Sequence, residues 1–395
     1  MSTDSDPASL KRRRLLLSAA GVSLAVPAMA TTIRYPGAGP TQNGSRAASE
    51  SLARLPLQGI VSATPLQDLH GSLTPSDLHF ERHHGGVPRL DPDQHELFIH
   101  GMLARSKALR LADLKRLPAV TRTCFIECSG NYITALGARS TPQVLAGLTS
   151  QSEWTGVLLS TLLRALGVSD KAKWLLAEGA DGPLLSRSIP MDKALDDAMI
   201  AYAQNGEAIR PEQGYPFRLL LPGWEGNTQV KWLRRIEVSD APFMTREETA
   251  RYTDVLSDGR IRQFSFTMDA RSIITSPTFP QQLEPGPQEI RGIAWSGRGR
   301  IRAVEVSTDG GRRWQPARLD GPVLPTAHTR FHFSWYWDGQ ATVLQSRAID
   351  ETGYVQPTLG QLKAVRDSRG IPYHFNPIIA WHVQRDGQIR FEETG

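Results

Sequence analysis

From about Ser265 onward the chain consists of short runs in which apolar and polar residues alternate: "QEIRGIAWSG", "IRAVEVSTDGG", "RRWQPARL", "TRFHFSWYW" and "TVLQSRAIDETG". Turn residues such as Asp309-Gly310-Gly311 separate them. A period of two sends successive side chains to opposite faces, so runs of this kind bury one face only as strands. Several in series, joined by tight turns, predict two antiparallel sheets packed face to face, a β-sandwich of immunoglobulin type. The usual inter-sheet disulfide is missing, since the chain's 2 cysteines both lie upstream. The 34 glycines and 27 prolines supply the turns that such an architecture needs.

Upstream the periodicity is mixed. "LHFERHH" and "HELFIHG" read as strands, and "TGVLLSTLLRALGV" carries a helical apolar spacing that stops at Gly167. "PFRLLLPG" and "QVKWLRRIEV" read as strands around a glycine-rich loop, "GWEGN". The expected fold class is α+β, with a mixed catalytic candidate at residues 64–262 followed by the sandwich at 263–395. Residues 31–63, rich in Gly, Ser, Thr, Ala and Pro without hydrophobic period, read as a flexible arm. Ahead of it, Lys11-Arg12-Arg13-Arg14, the apolar run Leu15 to Val26 and Pro27-Ala28-Met29-Ala30 compose an export signal over residues 1–30. That run is too short to span a bilayer, and its consecutive arginines resemble a twin-arginine signal. The expectation is a periplasmic protein with no membrane span after signal removal. A net charge of +5, with several positives in the first 14 residues and no later Lys/Arg run, argues against a nucleic-acid partner.

Both cysteines stand in "RTCFIECSGNY". The Val, Thr and Ile residues leading into it favour a strand, which would put Cys124 and Cys128 on one face roughly 13 Å apart. That separation is beyond disulfide reach. No second cysteine pair completes a zinc set. Two buried structural thiols, or one working thiolate, remain; Cys128 has the stronger claim, because the turn Ser129-Gly130-Asn131 follows it and can expose its sulfur. His79, His83, His84, His95 and His100 offer another metal reading, but adjacent His83 and His84 on a strand would face opposite ways.

"HFERHHGGVPRLD", "FIECSGN", "AEGADGPLLSRSIPMDKAL", "GYPFRLLLPGWEGNTQVKWLRRIEV", "IAWSGRGRIRAVEVSTDGGRRW" and "AIDETGYVQP" stand in an order that resembles the sulfite oxidase family of molybdenum-pterin enzymes. The resemblance runs from about Thr64 to Gly387 and is strongest to the sulfane dehydrogenase branch of that family. It implies a molybdenum-molybdopterin cofactor, one per chain, with Cys128 as the thiolate ligand of the metal. A soft sulfur donor suits such a metal beside the pterin dithiolene. Cys124 matches no ligand. The resemblance further implies cofactor contacts from Phe80, Arg82, His83 and His84, from Asp181, from Arg218, and from Gln229, Val230 and Lys231. Cations would meet the phosphate, and a carboxylate would accept from pterin N–H groups. Arg82, Tyr252 and Arg369 would form the substrate pocket, the arginines holding a sulfur oxyanion and Tyr252 bonding to the transferred oxygen. Since Arg369 lies in the β-rich part, that part must fold back on the first.

Two positions depart from the family pattern. Tyr132 and Ile133 follow the turn where animal sulfite oxidases place two arginines, and Gln213 stands where the family has a cofactor-loop histidine. With a pocket cation missing, a carrier-protein-bound sulfane fits better than free sulfite dianion. The expected activity is oxidation of carrier-bound sulfane sulfur by oxo transfer, with electrons passing to a c-type cytochrome. No C-x-x-C-H occurs, so no haem is expected on this chain. The partners implied are that cytochrome and the sulfur carrier, in a homodimer through the C-terminal domain or a hetero-oligomer with the cytochrome. A cytochrome-linked sulfite dehydrogenase and a non-catalytic periplasmic binding or adhesion module are the rival readings.

Overall fold

A computed structural model describes residues 61–132, 137–366 and 373–392. The export segment, most of the arm, Ile133 and Arg369 lie outside the described residues.

The N-terminal part is built on two mostly antiparallel sheets. In one, the strands Glu207–Ala208, Met199–Gln204, Thr149–Leu158 and Val120–Glu127 follow in that order, and Arg218–Leu220 pairs with Met199–Gln204. In the other the order is Lys107–Leu109, Leu97–Gly101, Leu233–Ser239, Trp174–Gly179 and Ser186–Pro190, with one parallel pairing, Leu97–Gly101 against Leu233–Ser239. The helices are short; Leu159–Ala165 and Leu359–Val365 are 7 residues each. The apolar side of the first, through Leu159, Leu162 and Leu163, joins Leu97, Leu175, Ile236 and Phe217 in one buried core.

The C-terminal part has two antiparallel sheets. One orders Arg271–Ser276, Gly286–Trp295, Thr329–Trp337 and Arg318–Leu319; the other Gln315–Pro316, Ile301–Ser307, Thr342–Asp350, Ala380–Val383 and Ile389–Phe391. The alternation in "TVLQSRAID" emerges as burial of Leu344, Ser346, Ala348 and Asp350, every second residue. Both sheets contribute to one core, in which Trp295, Phe331, Leu344 and Trp381 are fully or almost fully buried. That core also takes in Phe125, Leu145 and Ala146 from the N-terminal part. The two parts thus share apolar surface directly behind the strand that leads to Cys128.

Three local readings are corrected. The helix expected over "TGVLLSTLLRALGV" begins only at Leu159, because Thr155 to Leu158 continue the Thr149–Leu158 strand. Tertiary packing decides this: a Cβ on Gly156 would lie 2.1 Å from the Ile200 carbonyl oxygen of the neighbouring strand, an approach that only glycine allows. "LHFERHH" is strand only at Glu81–Arg82, which pairs with Val61–Ser62. The strand therefore ends before His83, so His83 and His84 are not held to opposite faces. The end of the expected arm is part of the folded body, with Val61 and Ala63 buried in a small core beside Phe80, Cys124 and Trp154.

Candidate active site

The Val120–Glu127 strand ends in the turn Cys128 to Asn131, closed by Asn131 N–H donating to the Cys128 carbonyl at 3.0 Å. Asn131 pins this turn from below. Its amide donates to Glu127 Oε1 and to the Ala146 carbonyl, both at 2.9 Å, and accepts from Leu148 N–H at 2.8 Å. Glu127 in turn accepts from Trp295 Nε1 at 2.6 Å and Arg271 Nη1 at 3.1 Å, so residues of the C-terminal sheets hold the turn in place. The loop "GWEGN" packs against the other side. A Cβ on Gly226 would stand 2.8 Å from the Glu127 carbonyl oxygen, which explains glycine there.

Cys128 opens into a cavity of about 380 Å³. Phe80, Arg82, His83, His84, Asp181, Arg218, Gln229, Val230, Lys231 and Tyr252 all line it, as do Gln213 and Tyr132. Every described residue that the sequence marks for the site, though spread over 173 positions from Phe80 to Tyr252, meets at this one cavity. Cys124 does not; it is buried in the adjacent core, where desolvation pushes its thiol up to about 12. Both cysteines are free thiols. Burial also raises the Cys128 thiol, opposed by the Arg82 charge and the Gly130 N–H. Among the described residues no three His, Cys, Asp or Glu side chains cluster as a protein-only metal site.

The charge balance of the cavity floor is lopsided. Arg218 donates through Nη1 to the Gln213 carbonyl at 2.8 Å and through Nη2 to the Gln229 carbonyl at 2.9 Å, while its buried Nε has no partner. Lys231 donates to the carbonyls of Glu212 at 2.9 Å and Arg82 at 3.1 Å. Among the described residues no carboxylate pairs with either cation. Desolvation accordingly lowers Arg218 to about 9 and Lys231 to about 7. His83 lies 2.7 Å from Glu81 Oε1 but out of hydrogen-bonding alignment, and both its ring nitrogens are buried without a bond. Burial, then Lys231 and Arg82, lower it to about 3. Desolvated cations without a carboxylate partner around one hollow are costly unless an anion fills it. These residues fit a phosphate-bearing pterin, and Asp181, whose Oδ1 accepts from Leu185 N–H at 2.9 Å, adds the acceptor that its N–H groups need.

The rim is assembled differently. Tyr252 follows the helical turn Glu247–Arg251, and its hydroxyl stands 3.2 Å from His84 Nε2. Burial lowers His84 to about 4 and raises Tyr252 above the ordinary phenol range. Beneath Tyr252 the Arg187 guanidinium lies 5.2 Å from the ring centroid. A second hollow of about 320 Å³, bordered by Pro183, Arg246 and Glu247, shares His84, Arg251 and Tyr252 with the cavity and adjoins it. From the C-terminal part, Tyr373 also lines the cavity, so this part does fold back on the first. Sequence reasoning misses Arg187, Tyr373 and Asn227, whose amide donates to Ser129 Oγ at 3.1 Å. Arg187 alternates with serines in "LLSRSIP" and reads there as an exposed strand residue; only the cluster "YHFN" beyond Arg369 hints at Tyr373.

Comparison with known proteins agrees with this geometry. Residues 84–247 match the family described as "Oxidoreductase molybdopterin binding domain", and residues 262–380 match "Mo-co oxidoreductase dimerisation domain". The chain is 30% identical to sulfite oxidase of Gallus gallus over 317 residues, covering 72% of this chain and 68% of that protein. It is 32% identical to a nitrate reductase [NADH] of Ulva prolifera over 332 residues, 73% of this chain but only 38% of that longer protein. Among solved structures, the sulfane dehydrogenase SoxCD from Paracoccus pantotrophus superposes with a TM-score of 0.83 at 45% identity, covering 87% of this chain and 88% of that one.

Proposed function

The chain belongs to the sulfite oxidase family of molybdopterin oxidoreductases, and from that membership we propose that it is the molybdenum subunit of a sulfane dehydrogenase. The observation that carries the reading is the cavity itself, with a thiol at one wall and two cations, Arg218 buried and Lys231 partly buried, that form no ion pair with a carboxylate among the described residues. The cofactor, when bound, supplies two-electron redox chemistry at molybdenum. Cys128 would hold the metal. Arg218 and Lys231 would meet the phosphate, Asp181 the pterin N–H groups, and Phe80, His83, Gln229 and Val230 would wall the ring system. Arg82 and Arg369 would bind the anionic end of the substrate, and Tyr252, already bonded to His84, would orient an oxygen and hold its proton.

The substrate is a carrier-bound sulfane, whose arm would enter through the second hollow beside Arg246 and Arg251; the chain's likeness to a sulfane dehydrogenase supports this choice over free sulfite. Electrons would leave one at a time to a c-type cytochrome. The C-terminal sheets would form an immunoglobulin-type sandwich that pairs two copies of the chain, in keeping with the dimerisation family matched there. Residues 1–30 would direct export to the periplasm by the twin-arginine route. Steady-state rates test the substrate: the purified enzyme should turn over a persulfidated carrier protein with a higher kcat/KM than free sulfite, and the reverse order would make it a sulfite dehydrogenase.

A further inference from the structure

Tyr373 is presented to the cavity by a segment that is fixed unusually firmly. The next residue, His374, has φ 52°, a left-handed conformation that side chains other than glycine rarely adopt. It is held there by its N–H donating to the Ser129 carbonyl at 2.8 Å, one residue past Cys128. Arg366 Nη1 donates to the carbonyls of Tyr373 at 2.7 Å and His374 at 3.1 Å. The buried His374 Nε2 meets Glu225 Oε2 at 3.1 Å, and Glu225 Oε1 accepts from Arg187 Nη2 at 3.1 Å. Arg187 also pairs with Glu248 at 3.0 Å and lies under Tyr252. One buried chain of polar contacts, Arg187–Glu225–His374, therefore ties together the three pieces that surround the sulfur: the Cys128 turn, the Tyr252 turn and the Tyr373 segment.

The result is a pair of phenols over the cavity. The rings of Tyr252 and Tyr373 stand 5.2 Å apart, tilted by 51°. A Cβ built on Gly130 would lie 4.0 Å from both Cys128 Sγ and Tyr373 Cε1, so the sulfur and the ring edge both border Gly130. The two hydroxyls differ. That of Tyr252 is engaged by His84, whereas among the described residues no side chain bonds to that of Tyr373. We infer that Tyr373 contacts the substrate, its hydroxyl donating to the negatively charged sulfur or sulfur-bound oxygen seated over Cys128, and that the Arg187–Glu225–His374 chain holds it in position. This inference rests on the site being an oxidoreductase site for sulfur anions, not on which sulfur species is physiological.

The test uses the holoenzyme with Tyr373→Phe and with His374→Asn, since asparagine tolerates the left-handed backbone but is too short to reach Glu225. Sulfate affinity by calorimetry and the KM–kcat split are read side by side on proteins with unchanged melting curves. Loss of one hydrogen bond to a charged group predicts sulfate binding weaker by about tenfold or more in Tyr373→Phe, and a similar rise in KM with kcat held. His374→Asn should show the same KM rise although the phenol is intact. Sulfate affinity and KM within about twofold of wild type in Tyr373→Phe, a loss confined to kcat, or no sulfate binding by the wild type would each overturn the inference. Turnover of sulfite but not of a carrier-bound sulfane by the wild type would instead overturn the proposed function and leave the Tyr373 result readable on sulfite.

Discussion

Arg218, buried, and Lys231, partly buried, lie on the floor of the cavity bonded to backbone carbonyls and set over the Trp154 and Trp232 rings, whereas Arg187, under its rim, is a buried cation clamped between two carboxylates. The first pair is incomplete within the described chain and needs an anion from outside it. The second has its charge answered by Glu225 and Glu248 and serves the protein's own geometry. Two buried charges of the same kind can therefore mean opposite things, and the presence or absence of a carboxylate within reach tells them apart.

Removing the sulfur breaks the floor most severely. Cys128→Ser should abolish turnover while leaving the melting temperature of the protein nearly unchanged, because the turn is fixed by Asn131 and Glu127 and not by the thiol. Retained activity in a folded variant would remove Cys128 from the metal. Next in size is the rim: Arg187→Met removes the cation between buried Glu225 and Glu248 and should cost about 3–5 kcal/mol in chemical denaturation. A loss well under that would show that water reaches the cluster.

Lys231 sharpens the contrast through pH. Its folded pKa is pulled down from 10.5 to about 7, so in cofactor-free protein the unfolded chain binds more protons than the fold between those values. Stability should rise with pH across that window, with the full penalty present below about 7. Lys231→Met should flatten the rise, and cofactor phosphate should do the same by restoring the charged form. A slope unaltered by Lys231→Met would show that the ammonium is not desolvated. The smallest effect belongs to Cys124→Ser, which places a hydroxyl in the core beside Trp154 and should cost about 1–3 kcal/mol without altering kcat. A large loss of turnover at unchanged stability would give Cys124 a part in the chemistry.

The same division governs what is legible in the sequence. Floor residues sit in or beside strands whose local patterns are strong, and the order of motifs along the chain is enough to single out Cys128, Arg218 and Lys231. The rim owes its geometry to contacts between distant residues: Arg187 with Glu225, and His374 with Ser129, 245 positions away in sequence. No local period records such pairs, and an arginine flanked by serines in a strand has the pattern of a solvated face. The helical pattern at Thr155 misleads for a related reason, since the clash that forces a strand there lies in the Ile200 backbone and not in the run itself.

Molybdenum analysis of the purified, folded protein, expressed in a host that makes the cofactor, tests the central claim most directly. The account predicts one molybdenum per chain, with the pterin phosphate answering the charge of Arg218 and Lys231. A folded protein that carries no molybdenum, with its two floor cations still unmatched, would contradict it.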